Sequence, residues 1–157
     1  MTEASLGSAI PPGASLLVDT SVALAYLTGT ESTSSLAVEL FDSFVATGRN
    51  AAALSVITVQ EILVRPFRSG MAAVATAEGF LRHFAEIRLV EVTYDIAREA
   101  ARIRAITSIR APDALIIATA LISQVDVLVT NDRSWHLGSE MIAPGLTICL
   151  LADTAPV

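Results

Sequence analysis

The stretch Leu16-Leu17-Val18-Asp19-Thr20-Ser21-Val22 decides the fold class. Its three large aliphatic residues are typical of a short buried strand, and the chain turns polar at Asp19, just before an apolar run with helical spacing. Strand-length apolar runs alternate with helical stretches along the rest of the chain. This alternation predicts an α/β fold with a central parallel sheet.

The same patterns predict the individual elements. The expected strands are residues 16–18, 52–56, 88–92, 125–129 and, at an edge, 146–151; the expected helices are 22–27, 36–47, one carrying Glu61, 71–85, 94–106 and 113–122. Thr58 is expected to cap the Glu61 helix, with Glu61 three residues on as in a capping box. Pro66 predicts a kink or an early end of that helix, because proline lacks the backbone donor.

The domain is expected to span residues 15–152. Residues 1–14 are small, polar and interrupted by Pro11, Pro12 and Gly13, which predicts a flexible or surface-bound leader. Residues 153–157 are expected to form an unstructured tail. At 157 residues, one domain can bury a sufficient core without disulfides.

The composition favours an aliphatic core in a cytoplasmic protein. Apolar residues make up 53% of the chain and aromatic residues only 5%. Cys149 lies in an apolar run and is expected to be a buried, inert thiol. No Lys or Arg precedes Arg49, which argues against a secretory signal, and no uncharged apolar stretch reaches the roughly 18 residues of a membrane span.

The charge argues against nucleic-acid binding through a broad basic surface. The net charge is −6, and all ten cationic residues are arginines. Net charge alone does not decide the point, because a carboxylate cluster loaded with a divalent metal reverses its local sign.

Four acidic residues are predicted to converge at one edge of the sheet. Asp19 and Asp132 follow strands, Asp113 begins a buried helix that leads into a strand, and Glu61 lies in the helix after the second strand. Ligands of open α/β sheets bind outside the carboxyl ends of the strands. Clustered carboxylates repel one another, and either protonation or a hard divalent cation relieves the repulsion. The expected cofactor is Mg²⁺ or Mn²⁺, and the matching reaction is phosphodiester hydrolysis.

Three polar residues are candidate accessories: the hydroxyls of Ser21 and Thr130 and the amide of Asn131 could orient a carboxylate or a metal-bound water. Each acid also has a purely structural interpretation. Asp19 could cap a helix, Asp113 could stabilise a helix N-terminus, Asp132 could serve a turn, and Glu61 could lie on a solvated helix face.

Four segments together resemble a known family. They are Leu17-Val18-Asp19-Thr20-Ser21-Val22, Thr58-Val59-Gln60-Glu61-Ile62-Leu63, Pro112-Asp113-Ala114-Leu115-Ile116-Ile117-Ala118-Thr119-Ala120 and Val129-Thr130-Asn131-Asp132. In order and spacing they resemble the PIN-domain ribonucleases, most closely the VapC-type toxins, over residues 15–151. The resemblance implies a three-layer α/β/α fold, metal-dependent cleavage of single-stranded regions of RNA, and inhibition by a cognate VapB-type antitoxin.

Carried over by motif, the resemblance assigns Asp19, Glu61, Asp113 and Asp132 to the acidic site and Ser21 and Thr130 to its hydroxyl positions, with Asn131 as the usual neighbour of the last acid. The long leader and the absence of lysine depart from the common pattern. The second departure leaves open which arginines contact RNA, with Arg98, Arg102, Arg104 and Arg110 as candidates.

Other classes of α/β protein fit less well. A receiver domain or a dehalogenase-like phosphatase needs a lysine, and the Gly-rich phosphate loops are missing. The alternative that stays open is a catalytically inactive PIN-like scaffold that binds RNA or protein. Apolar side chains on helices 34–47 and 61–85 exceed what a solvated layer needs, which predicts a homodimer and an antitoxin contact.

Overall fold

A computed structural model describes residues 4–136 and 142–156. In chain order, the elements are β1 (Ala4–Ser5), α1 (Leu6–Ala9), β2 (Leu16–Val18), α2 (Thr20–Thr28), α3 (Ser34–Val38), a π-helical segment (Glu39–Val45), β3 (Ala52–Ser55), α4 (Val56–Ser69), α5 (Met71–His83), β4 (Ile87–Val90), α6 (Tyr94–Ile106), α7 (Ala111–Ile122), β5 (Val127–Thr130), α8 (Arg133–His136), β6 (Thr147–Leu150), a 3₁₀ turn (Leu151–Asp153) and β7 (Thr154–Ala155).

Five parallel strands form the central sheet, in the order β4-β3-β2-β5-β6. The chain builds outward from β2 to one edge through β3 and β4, and then returns to the other side of β2 with β5 and β6. The strand order therefore reverses between β2 and β5, where the loops leave the sheet in opposite directions and open a crevice. The predicted α/β class and central parallel sheet are confirmed.

Helices cover both faces of the sheet. Successive strand side chains point to opposite faces, so Leu16 and Val18 pack with the helices from α2 to α5, whereas Leu17 packs with α6 and α7. On β3, Leu54 packs on the same face as Leu16 and Val18, and on β5, Leu128 packs on the same face as Leu17. The result is the three-layer α/β/α arrangement that the sequence predicts.

The core is mainly aliphatic and contains one aromatic cluster. Tyr26, Phe41, Phe80 and Phe84 pack with ring centroids 4.8–5.8 Å apart. These residues come from α2, the π-helical segment, α5 and the loop after α5. The scarce aromatic residues are thus concentrated where the helices of one layer meet.

The described part of the predicted leader is bound to the domain, so the flexible alternative is wrong for these residues. Leu6 and Ile10 are fully buried in the core, and β1 pairs in parallel with β7. Buried Asn50 fixes the turn between α1 and β2, since its side-chain amide donates to the carbonyl oxygens of Pro11 and Ala14, each at 2.8 Å. Residues 1–3 of the predicted leader lie outside the described residues.

The predicted unstructured tail is also wrong for residues 154–155, because β7 supplies the partner strand of β1. The hydroxyl of Thr154 donates to the carbonyl oxygen of Leu151 at 2.9 Å and closes the turn that leads into β7. Residue 157 lies outside the described residues.

The start and the interior of α4 differ from the sequence prediction. Ser55, not Thr58, is the N-cap: its hydroxyl accepts from the backbone N–H of Ile57, and Thr58 lies one turn inside the helix, fully buried. The helix also continues through Pro66 to Ser69. It ends at Gly70, whose φ of 122° is a conformation that residues with a side chain rarely adopt.

Other boundaries differ by a few residues, and α6 matches its prediction. The predicted helix 36–47 is divided into α3 and the π-helical segment. Within the described residues, no helix combines the length and the apolar character needed to cross a bilayer.

Candidate active site

The candidate site lies at the carboxyl ends of β2 and β5, where the strand order reverses. Asp19 is the first residue after β2, and its backbone N–H donates to the carbonyl oxygen of Val129 on β5 at 2.9 Å. Thr130 ends β5 and Asp132 follows two residues later. The neighbouring strands therefore deliver two of the predicted acids to one edge of the sheet.

Asp19 is a buried carboxylate held by hydroxyl groups. Only 4% of the residue is exposed. The hydroxyl of Ser21 donates to Oδ2 at 2.6 Å, and that of Thr130 donates to the same oxygen at 2.9 Å. Within the described residues, none of the ion pairs includes Asp19.

Burial raises the pKa of Asp19 above its usual range, because the charged form loses solvation. The hydrogen bonds from Ser21 and Thr130 lower the pKa in part but do not offset the burial. An anion so placed needs either a proton or a cation close to it.

Thr130 and Ser21 connect Asp19 to the loop after β5. The Thr130 hydroxyl also accepts from the backbone N–H of Asp132 at 3.0 Å, and the Ser21 hydroxyl accepts from the backbone N–H of Asn131 at 3.1 Å. Each hydroxyl therefore donates to Asp19 and accepts from the loop. The Asn131 side chain donates to Thr33 at 3.1 Å and so anchors the loop to the segment before α3.

Asp113 and Asp132 line a common cavity of about 280 Å³, together with Arg110, Ser134 and Trp135. Asp113 lies in the first turn of α7, with Pro112 before it, and Oδ2 of Asp113 accepts from Nε of Arg110 at 3.1 Å. Oδ1 of Asp132 accepts from the backbone N–H and hydroxyl of Ser134, at 2.9 and 2.7 Å. The two carboxylates thus face one cavity but bind different partners.

Glu61 reaches the site through Thr20. The hydroxyl of Thr20, the residue after Asp19, donates to Oε2 of Glu61 at 2.5 Å. The Thr20 hydroxyl also lies 2.9 Å from that of Thr58, one turn before Glu61 on α4. Both threonines are buried. The segment after β2 therefore carries one acid, Asp19, and contacts a second acid, Glu61, through Thr20.

The PIN-domain family model matches residues 16–137 of the chain. This chain belongs to the PIN-domain family. The matched segment contains the whole site just described. Among curated proteins, none matches the chain.

Solved structures of toxin–antitoxin proteins share this PIN fold. Mycobacterium tuberculosis VapC20, a toxin that cleaves the sarcin-ricin loop, is 20% identical, with 78% of this chain and 94% of that chain covered and a TM-score of 0.64. VapBC from Salmonella typhimurium, bound to DNA, is 20% identical, with 86% and 96% covered and a TM-score of 0.63. VapBC2 from Rickettsia felis, bound to a promoter DNA fragment, is 17% identical, with 85% and 96% covered and a TM-score of 0.64. At these identities the likeness shows the fold.

The acids of this PIN domain are near one another without forming a compact cluster. Within residues 4–136 and 142–156, no three Asp, Glu, His or Cys side chains are arranged closely enough to hold a metal ion. Asp19 is linked to the Asp132 loop, Glu61 to the residue after Asp19, and Asp113 to Arg110. The chemistry of these side chains nevertheless suits a hard divalent cation, since all four acids offer carboxylate oxygens and the buried Asp19 is bonded by the hydroxyl groups of Ser21 and Thr130, with no ion pair among the described residues.

Sequence reasoning missed the site roles of Thr20 and Thr58. The sequence carried only part of the signal: a threonine directly follows the first acid, and another precedes Glu61 by about one helical turn, which places it on the same face. Trp135 is buried and packs with the α6–α7 layer. Of the candidate arginines, Arg102 pairs with Glu99 and Arg110 with Asp113.

Proposed function

We propose that this PIN domain is a metal-dependent endoribonuclease toxin that cleaves single-stranded regions of RNA and is neutralised by a cognate antitoxin. The observation that carries the proposal is Asp19: a buried carboxylate without an ion-pair partner among the described residues, at the reversal point of a parallel sheet, hydrogen-bonded toward a second acid-bearing loop. Such a group is costly unless a cation balances it.

Asp19, Asp113 and Asp132 would hold Mg²⁺, with Mn²⁺ as a substitute, and Glu61 would complete the acidic set. When bound, the metal would supply Lewis-acid polarisation of a phosphate oxygen and a water of lowered pKa. Carboxylate oxygens are the ligands that such ions prefer.

The chain's own residues position this set. Ser21 and Thr130 fix the orientation of the Asp19 carboxylate through Oδ2, and the backbone N–H groups of Asn131 and Asp132 fix those hydroxyls in turn. Arg110 is 80% exposed at its side chain and borders the cavity of Asp113 and Asp132. It can therefore turn from Asp113 to an RNA phosphate, which arginine binds well.

The test is RNA cleavage by the purified protein, stripped of any bound antitoxin, with Mg²⁺ or Mn²⁺. Asp19→Asn and Asp113→Asn are expected to abolish cleavage. Asp95→Asn is the matched control, because Asp95 is an exposed acid on α6. Equal cleavage by wild type and both site variants, or none by any protein, contradicts the proposal. Mapping the cut ends on total RNA then identifies the substrate.

The partner surface proposed for the antitoxin lies on α4 and α5. Phe67 and Met71 are 62% and 71% exposed there, and Val64 is also exposed. A groove of about 430 Å³ between α2, α4 and α5 adjoins this surface and is lined by Ile62, next to Glu61. An apolar surface of this kind supports a contact with protein.

Two measurements test the partners. Coexpression with a small antitoxin is expected to suppress the growth arrest caused by the toxin alone, and light scattering is expected to show a homodimer. A harmless monomeric protein contradicts both expectations. Phe67→Ser and Met71→Ser should weaken antitoxin binding, and Asp95→Asn should leave it unchanged.

A catalytically inactive scaffold is the second candidate. The observation in its favour is that Asp113 and Asp132, although they line one cavity, each bind a neighbouring side chain, Arg110 and Ser134 respectively. RNA or protein binding without cleavage in either metal would support it.

A further inference from the structure

Two buried threonine hydroxyls form a hydrogen-bonded chain that ends on Glu61. Thr20 Oγ1 lies 2.9 Å from Thr58 Oγ1 and 2.5 Å from Oε2 of Glu61. Thr58 is fully buried and Thr20 nearly so, whereas Glu61 is partly exposed. Burial makes these contacts consequential, since a buried hydroxyl without a partner is costly.

Counting hydrogens fixes the direction of the chain. A carboxylate only accepts, so the short contact to Glu61 uses the single hydroxyl hydrogen of Thr20. Thr58 must then donate to Thr20, because Thr20 has no second hydrogen to give. Both hydroxyl dipoles therefore point toward the carboxylate, and each bond strengthens the other.

The position of Thr20 gives this chain a role in the site. Thr20 is the first residue of α2 and follows Asp19 directly, while Thr58 and Glu61 share one face of α4. The contact thus couples the end of β2 to α4. Within the described residues, none of the ion pairs includes Glu61, and its carboxylate accepts a hydrogen bond from the Thr20 hydroxyl.

We infer that Thr20, supported by Thr58, is a positioning residue that aims the Glu61 carboxylate at the divalent cation of the acidic site. This inference rests on the proposed function and deepens it. Thr20 acts through Glu61 and does not itself bind the metal. The two hydrogen-bonded hydroxyls hold Oε2 of Glu61, so the carboxylate keeps one orientation instead of sampling several.

The experiment measures Mn²⁺ affinity by calorimetry and by electron paramagnetic resonance, with RNA cleavage as a second readout. Thr20→Val removes the hydroxyl at nearly constant volume and is expected to weaken Mn²⁺ binding about 10-fold or more, the usual effect of removing a group that orients a ligand. Thr20→Ser keeps the hydroxyl and is expected to restore binding to near the wild-type value. Thr58→Val leaves the Thr20–Glu61 bond and is expected to have a smaller effect.

Thr119→Val is the matched control. Thr119 is a fully buried threonine whose hydroxyl donates to the backbone carbonyl of Leu115 at 2.7 Å. Its replacement removes a buried hydroxyl outside the site and is expected to lower stability without changing Mn²⁺ affinity. Urea unfolding of every variant separates loss of folding from loss of orientation.

A double-mutant cycle decides whether Thr20 acts through Glu61. In a Glu61→Gln background, Thr20→Val is expected to have little further effect on Mn²⁺ affinity, because the group it orients is gone. Additive effects, a Thr20→Ser variant as impaired as Thr20→Val, or wild-type affinity in Thr20→Val would each overturn the inference. The proposed nuclease is judged separately, by cleavage in wild type against Asp19→Asn.

Discussion

The hydroxyl of Thr130 donates to Oδ2 of Asp19 at 2.9 Å and accepts from the backbone N–H of Asp132 at 3.0 Å. A single side chain thus links the carboxylate after β2 to the loop after β5, across the two strands between which the sheet order reverses. The relative position of Asp19 and Asp132 therefore depends on Thr130, which bonds to both residues.

Replacing Thr130 with valine should disturb both stability and activity. The change leaves the Asp132 N–H without its acceptor and removes one of the two side-chain donors to Asp19, at a cost of about 1–3 kcal/mol. RNA cleavage should fall about 10-fold or more, because the orientation of Asp19 loosens. Urea unfolding and cleavage rates measure the two effects. Thr130→Ser should preserve most of both, and equal loss in both variants would refute the hydroxyl's role.

Asp19→Asn should stabilise the metal-free protein. Burial raises the folded-state pKa of Asp19 above 3.8, so the folded state binds the proton more tightly than the unfolded chain does. The stability that Asp19 contributes is therefore full below pH 3.8 and is lost as pH rises through the folded pKa. In EDTA, the stability advantage of Asp19→Asn over wild type should grow over that range and then stay constant. An advantage that shrinks with rising pH contradicts this assignment.

Arg110→Ala should change stability little and tighten metal binding. The Arg110 side chain is 80% exposed, and such exposed ion pairs contribute about 0–1 kcal/mol. Without Arg110, Asp113 no longer shares its carboxylate with a competing cation, so Mn²⁺ affinity by calorimetry should rise. Arg82→Ala, which breaks an exposed pair with Glu78, is the control. Unchanged Mn²⁺ affinity in Arg110→Ala would show that this pair does not compete with the metal.

Leu6→Ala or Ile10→Ala should destabilise the fold by about 2–5 kcal/mol, the cost of a cavity in a packed core. Both residues are fully buried although they lie in the segment that the sequence predicts to be flexible. The midpoint of urea unfolding measures the loss. Tyr94→Ala, at a residue that is 82% exposed, should change it little. A similar midpoint in all three variants would contradict the contribution of Leu6 and Ile10 to the core.

The Cys149 thiol should resist modification in the folded protein. Burial raises its pKa to about 11, with a further contribution from Asp153, and only the thiolate is strongly nucleophilic. A disulfide reagent at pH 8 should react with the unfolded chain and only slowly with the native protein. Since the folded pKa is raised, stability should begin to fall above about pH 9. Rapid modification under native conditions contradicts the expected burial.

The sequence predicted the parts of the molecule that depend on local periodicity. The helix Tyr94–Ile106 was located to the residue because the spacing of Ile96, Ala100 and Ile103 places them on one face, and the structure adds Thr93 as its N-cap. The positions of Asp19 and Asp132 followed from chain order, since parallel strands present their carboxyl ends at one edge. Whether the four acids act together stays a prediction.

The parts that could not be predicted depend on contacts between distant segments. The pairing of β1 with β7 joins residues 150 positions apart, and the leader's small polar residues gave no sign of it. Ser55 displaced Thr58 as the cap because β3 ends one residue earlier than expected, which starts α4 at Val56. The contact between Thr20 and Glu61 needs the packing of α2 against α4, and no short window contains both.

The outer strand β4 bears on how this protein avoids aggregating. It lies at an edge of the sheet, with Arg88 and Leu89 exposed between the charged residues Glu86 and Glu91. An outer strand offers unpaired backbone groups to any other extended chain, and interspersed charges are the usual protection against such pairing. Substitutions at Glu86, Arg88 and Glu91 would therefore be limited less by the energy of the folded monomer than by solubility at high expression.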